Sequence, residues 1–454
     1  MKKRGIVAVV MICVLAAVVL FARGRMQQHT FTFTNGPLTA SAAASENASP
    51  PTAVDGGDWP QWRGPNRDAV SPATGLLTNW PKDGPPLVWT AKGLGRGMSS
   101  VSVADGRILT MGNRADKGVC LIALNVENGE ELWATPIERE GEPNGSPTID
   151  GDSVYAITYN GTLVCAETST GRLVWRKNFV NDFDGDVPTW GYSESPLVDG
   201  DRLVCTPGAD DALLVALEKT TGETLWKSAA PPEMDDRGHD GAGYSSIVIG
   251  NGAGIRQYVQ LVGHGVIGVS TADGKPLWGY NRIANDVANI PTPIVHGDYV
   301  LASTGYGAGS ALLRLERSPT GVKVNEVYFL PGNKMQNHHG GLVLVDGHIY
   351  LGHGHNQGLP MCVEFLTGKV KWGPARGPGS ESAAVLYADG HLYFRYQNAV
   401  MALIEATPAA YRLKASFELP SHLANSWPHP VIAGGRLYLR DQDVLMCYDL
   451  RAKQ

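Results

Sequence analysis

The sequence predicts an all-β fold, an eight-bladed β-propeller of four-stranded antiparallel blades, and three observations carry that expectation. One plan of strands and turns repeats along most of the 454 residues, a Gly-x-x-x-Trp ending punctuates it, and incomplete pieces at the two ends of the array complete each other. The clearest copies are Ser146-Pro-Thr-Ile-Asp-Gly-Asp leading to Thr170-Gly-Arg-Leu-Val-Trp175, and Ser195-Pro-Leu-Val-Asp-Gly-Asp leading to Thr221-Gly-Glu-Thr-Leu-Trp226. In each, an apolar strand runs into an Asp-Gly turn and a second strand. A third apolar strand then turns at Gly into a fourth that ends in Trp.

Composition agrees with this plan. The 55 Gly and 29 Pro, with 43% hydrophobic and 18% charged residues, suit a compact chain with many tight turns. A net charge of −6, with no basic run beyond the extreme N-terminus, offers nothing to a phosphate backbone and argues against nucleic-acid binding.

At the N-terminus, Lys2, Lys3 and Arg4 precede an uncharged stretch from Gly5 to Ala22, followed by Arg23 and Arg25. As a helix this stretch reaches about 27 Å, near the thickness of the hydrocarbon core, so residues 1–25 read as a signal anchor or signal peptide. Phe21-Ala22-Arg23-Gly24 is a poor cleavage site, which favours the anchor. The expected location is the inner membrane, with the propeller in the periplasm, or the free periplasm after cleavage. Residues 26–57, rich in Ser, Ala, Asn and Pro, read as a disordered linker. Residues 58–84 carry Trp59, Trp62 and Trp80 without repeating and are expected to pack across one face of the propeller, which spans 85–454.

Repeat starts fall near Ser99, Ser146, Ser195, Ser245, Thr292, Gly341, Ser382 and His429, a spacing of roughly 41 to 50 residues. The blade-end tryptophans are Trp133, Trp175, Trp226, Trp278 and Trp372, with Tyr328 and Phe417 in their place in blades five and seven. The last repeat stops after its third strand, and Trp89 ends a lone strand before the first repeat. Residues 87–90 are therefore predicted to complete the eighth blade and remove an open edge. Cys165, Cys362 and Cys447 occupy the third-strand position held by Ala123, Ala216, Gly268 and Ala402 elsewhere, which identifies a small-residue requirement. Lying in blades two, six and eight, they are too far apart to bridge.

The third-strand-to-Trp pattern, as in Val164-Cys-Ala-Glu-Thr-Ser-Thr-Gly-Arg-Leu-Val-Trp175, resembles the repeat of the PQQ-like (quinoprotein-like) propellers over about residues 85–450. That resemblance implies either of two functions. The superfamily contains PQQ-dependent alcohol dehydrogenases, and also the non-catalytic outer-membrane assembly lipoprotein BamB, whose propeller is close to this one in size. The dehydrogenases carry a vicinal Cys-Cys disulfide, and many a Cys-x-x-Cys-His haem site; neither occurs here.

In a propeller the connection into each innermost strand crosses one rim, so residues just before each repeat start should ring the central funnel. These are Asn144, Trp190, Tyr192, Glu194, His239, Asp240, Tyr244, Asn285, Asn289, His338, His339, Glu381, Trp427 and His429, a polar and aromatic set that differs from blade to blade. In blade six, if Asp346-Gly347 forms a two-residue turn, counting outward places His338 opposite His355 and brings His338, His353 and His355 onto one face, with His339 on the other. Three imidazoles so placed suit Zn²⁺ or Cu²⁺. A phosphate-binding Gly-rich loop, a His-Glu-x-x-His pair and an EF-hand run are absent from the sequence.

Two functions follow as expectations. One is a membrane-tethered envelope scaffold like BamB, holding a protein, a peptide or a small polar ligand at the funnel rim. The other is a quinoprotein-type oxidoreductase with PQQ and Ca²⁺, or a metal, in the funnel.

Overall fold

The computed structural model describes residues 57–451 apart from Glu233, Asp235, Thr320 and Ala424. The expected N-terminal anchor and linker lie outside the described residues. Within them, no helix is long and apolar enough to cross a membrane.

Short apolar strands joined by tight turns generate the repeat. At Asp105-Gly106, Asp346-Gly347 and Asp389-Gly390 both central residues have positive φ, the turn whose twist matches that of a hairpin. Third and fourth strands are joined by a helical turn in which a left-handed Gly closes an i to i+4 bond, as from the N–H of Gly171 to the carbonyl of Glu167. A bulge follows and sets the tryptophan opposite the small third-strand residue: Trp175 faces Cys165, Trp372 faces Cys362 and Trp226 faces Ala216. Blade five departs from this, with Leu312 opposite the smaller ring of Tyr328.

Eight four-stranded antiparallel sheets result, the eight-bladed propeller that the repeat predicts. The innermost strands are Ser102–Ala104, Thr148–Asp150, Leu197–Asp199, Val248–Gly250, Ile294–His296, Leu342–Val345, Ala383–Ala388 and Val431–Ala433. Strand Leu87–Ala91 pairs with Val444–Asp449, Trp89 facing Cys447, so the chain's early strand completes the last blade.

Blades dock through the turn glycines. A Cβ on Gly129 would lie 2.6 Å from the Trp89 ring of the preceding blade, so only a hydrogen lets the turn seat flat on the indole. The indole N–H groups of Trp89, Trp133, Trp175 and Trp372 donate to carbonyls of the next blade, at Val126, Thr168, Lys219 and Thr407. Tyr328 does the same through its hydroxyl, to Phe365. Phe417 sits one residue beyond the position opposite Ala402, which Ser416 takes, yet Gly84 seats on its ring as Gly129 does on Trp89.

Residues 59–77 contact the inner strands of several blades. Trp59 pairs with Val103 of blade one, and the Pro60 carbonyl accepts from Ile149 of blade two. Arg67 donates to the carbonyls of Ser195 and Pro196, Val70 bridges Tyr387, and the Ser71 hydroxyl donates to the carbonyl of Ile432. The physical reason is that the inner strands, three to six residues long, leave backbone groups and apolar side chains at the axis unpartnered. A segment bearing the buried side chains of Trp59, Arg63 and Arg67 fills that space.

Candidate functional site

The connections into the innermost strands converge on one face around a cavity of about 960 Å³. Its floor comes from the threaded segment. The Trp62 indole donates to Thr292 Oγ1 at 3.1 Å, and its ring lies 4.5 Å from that of His429. Arg63, 3% exposed, donates to the carbonyls of Leu342 and Asp68. Gly341 (φ +68°) leaves room for this guanidinium, into which a Cβ would collide. The central passage is thus blocked beneath the cavity.

One wall is a histidine and aromatic stack. His338 lies 3.5 Å from His339 and 4.3 Å from His355, ring centre to ring centre; Tyr306 lies 4.4 Å from His355, and Trp427 stacks on His339 at 4.4 Å. Partners define the tautomers. The Ser382 hydroxyl donates to Asn356 Oδ1, so it accepts from Nδ1–H of His338, whose Nε2 then accepts from the Tyr306 hydroxyl. His429 donates from Nε2 to the carbonyl of His339. His338, His339 and His429 are held neutral. Burial, with His355 nearby, pushes His338 down to about 3, and burial, with Arg63 nearby, does the same to His429; His339 is pushed well below 6.5 by burial and its three histidine neighbours. His338 thus donates to Ser382, the reverse of what a base activating that hydroxyl would do.

Of the residues expected at the rim, the cavity is lined by Asn144, Trp190, Tyr244, His338, His339, Trp427 and His429. Trp190 projects furthest, 57% exposed. Others point elsewhere. Tyr192 is buried against Phe179 and donates to the carbonyls of Asp186 and Pro207. Glu194 turns into the interior, accepting from the amide and hydroxyl of Thr206; burial raises it to about 7, with those bonds and Arg67 opposing the rise. Asp240 accepts from the hydroxyls of Tyr244 and Thr189 and pairs with the exposed His239. Asn285 and Asn289 bond each other, Asn285 accepts from the backbone of its own loop and Asn289 donates to the carbonyl of Gly263, while Glu381 is an exposed loop residue with positive φ. Connections of irregular backbone do not keep a strand's alternation, so position before a repeat start does not decide direction.

The blade-six trio is not assembled. The ladder runs as counted from Val345↔His348 only to Leu342↔Leu351, where the left-handed Gly341 ends the alternation. His339 therefore joins His338 and His355, while His353 turns away and accepts from the Gln336 amide at 3.3 Å. Among the described residues, no group of three or more His, Cys, Asp or Glu side chains has the arrangement of a metal centre.

Sequence reasoning missed Trp62 and Arg63, which come from the unrepeated segment, and Tyr159 and Tyr306. Their only signal was a Trp-Arg pair outside the repeat. It also missed Arg96 and Glu142, which form a rim ion pair at 3.0 Å.

The donor set does not fit a quinone held by calcium. Of the carboxylates nearest the cavity, Glu142 is paired with Arg96 and Glu194 faces Thr206, leaving no converging oxygen shell. The five described cysteines are single, buried thiols.

Comparison with known proteins places this geometry. Solved structures of similar shape include the quinohemoprotein alcohol dehydrogenase ADHIIG from Pseudomonas putida HK5, with a TM-score of 0.60 at 12% identity over 88% of this chain and 81% of that one. A europium-containing methanol dehydrogenase gives 0.59 at 12% identity over 85% and 89%. At such identities the likeness is one of fold. Among curated proteins, the outer membrane protein assembly factor BamB of Burkholderia pseudomallei (strain K96243) is 31% identical over 118 residues, 24% of this chain and 27% of that protein. BamB of Kangiella koreensis is 26% identical over 224 residues, 47% and 49% of the two chains. The chain thus spans half or less of the length of these curated relatives. The family model described as outer membrane protein assembly factor BamB matches residues 116–374, more than half of the chain. The chain is a PQQ-like propeller that belongs to the BamB family.

Proposed function

We propose that this protein is a binding or scaffold propeller of the cell envelope, tethered outside the cytoplasm by its N-terminal apolar segment, that engages a partner at the funnel rim. The observation that carries this reading is the character of the funnel in a BamB-family chain. It is broad, aromatic and closed at its base by Trp62 and Arg63, and its titratable groups are neutralised or already paired. Such a site recognises; it supplies no activated base or nucleophile. The name of the relatives supports a partner among outer-membrane assembly proteins.

The test is a photo-crosslinking residue placed at Trp190 on the rim and, as a control, at Leu225 on the outer edge of blade three, which is 50% exposed. In living cells the rim position is expected to yield a product that mass spectrometry identifies as an outer-membrane assembly component, and the edge position none. Identical products from both positions, or dye-linked alcohol oxidation by the full chain supplied with PQQ and Ca²⁺, would overturn the reading.

A further inference from the structure

We infer that the funnel binds an uncharged oligosaccharide, an inference that rests on the binding reading above. The charges around the cavity are already committed. Arg96 and Glu142 neutralise each other at the rim, and Arg63 is spent on the carbonyls of Leu342 and Asp68. His338 and His429 are neutral, with their N–H groups directed at Ser382 and at the backbone. Arg63 keeps its charge but is only 3% exposed, so an ionic ligand would leave water without an accessible counter-charge to meet.

What remains for a ligand is a set of rigid aromatic faces and neutral amides. Trp62 is fixed by Thr292 at the floor, Trp427 by its N–H bond to Gln397 Oε1 at 2.6 Å on the wall, and Trp190 stands free at the mouth. Asn144 Oδ1 and Asn425 Nδ2, both on the cavity wall, carry no partner among the described residues, so one acceptor and one donor are open to hydroxyls. A pyranose presents this chemistry in complement. Its axial C–H groups carry slight positive charge toward the negative face of an indole, and its equatorial hydroxyls both donate and accept. A cavity of about 960 Å³ is large enough for several sugar rings.

The test is calorimetry on the full chain, in a detergent without a sugar headgroup, with maltohexaose, cellohexaose and chitohexaose. Oligogalacturonate serves as the charged comparator and an uncharged apolar hexapeptide as the peptide comparator. At least one neutral hexasaccharide is expected to bind, with an affinity insensitive to salt. Trp190→Ala should weaken it about three- to ten-fold. The polar contacts of Trp190 are made by its backbone, which the variant keeps, so the thermal midpoint should not move. No heat with any of the three, a preference for oligogalacturonate or the peptide, or an affinity untouched by Trp190→Ala would overturn the inference. Rim crosslinks to an assembly protein without sugar binding would overturn this inference alone. Sugar binding without such crosslinks would overturn only the scaffold reading.

Discussion

Burial at the funnel acts oppositely on its histidines and on its buried carboxylate. His338 and His429 fall from 6.5 to about 3 on folding, chiefly through desolvation. The unfolded chain takes up protons below about pH 6.5 that the folded chain refuses, so this stability is fully present above that pH and is lost as pH falls toward 3. Glu194, raised by burial from 4.5 to about 7, keeps its proton in the folded state and favours folding as pH falls from 7 to 4.5. His339 and His353 are also lowered, so the histidines outweigh the single glutamate. Urea unfolding is expected to show stability falling between pH 6.5 and 4.5. His429→Gln should flatten that slope by about 1.4 kcal/mol per pH unit; an unchanged slope would mean that His429 is charged in the fold. The thiols give a second expectation. Burial pushes Cys362 up to about 11 and Cys447 up to about 12, and Cys205 well above 9. A thiol reagent at neutral pH should label none of the five described cysteines until urea is added. The small third-strand position of three of these thiols was readable from the repeat. The direction of each histidine was not, because Gly341 changes facing outside any ladder.

At the scale of the element, the docking turn is the unit that repeats most faithfully. Gly106 (φ +72°) lies in a hairpin turn with open space around it, while Gly129 (φ +73°) seats on Trp89. Both positions charge a side chain the left-handed backbone penalty, about 1–2 kcal/mol. Only Gly129→Ala adds overpacking against an indole, about 1–3 kcal/mol more. Denaturant unfolding of the two variants should show that difference; equal losses would mean that the turn does not bear on the indole. The glycine and tryptophan spacing made this element legible in the sequence, since both residues recur at fixed offsets. Phe417 was legible only as an aromatic stand-in, and its role appears when Gly84, far away in the chain, reaches its ring.

For the whole molecule, closure joins distant parts of the chain. Strand Leu87–Ala91 supplies the edge of blade eight, and residues 59–77 supply the axis. Arg440, 1% exposed, adds a tie from blade eight to blade one, donating to the Ser99 carbonyl and to Thr110 Oγ1. Arg440→Met leaves those acceptors unpaired in the interior and is expected to cost about 3 kcal/mol in unfolding free energy. Removal of residues 1–91 exposes the edge of Val444–Asp449 and empties the axis, and a cooperative unfolding transition should be lost. Retention of the native midpoint by that shortened chain would show that the ring closes without its N-terminal strand.

The sequence by itself determined the blade count, the strand order within each blade and the closing strand. Those follow from hydrophobic alternation, turn chemistry and one repeated spacing, all of which act between neighbouring residues. Only the tertiary structure decided what fills the axis, that Trp62 and Arg63 floor the funnel, and which histidines meet. Those contacts join the unrepeated segment and the irregular connections to blades far along the chain, and there backbone direction is set by three-dimensional packing instead of periodicity.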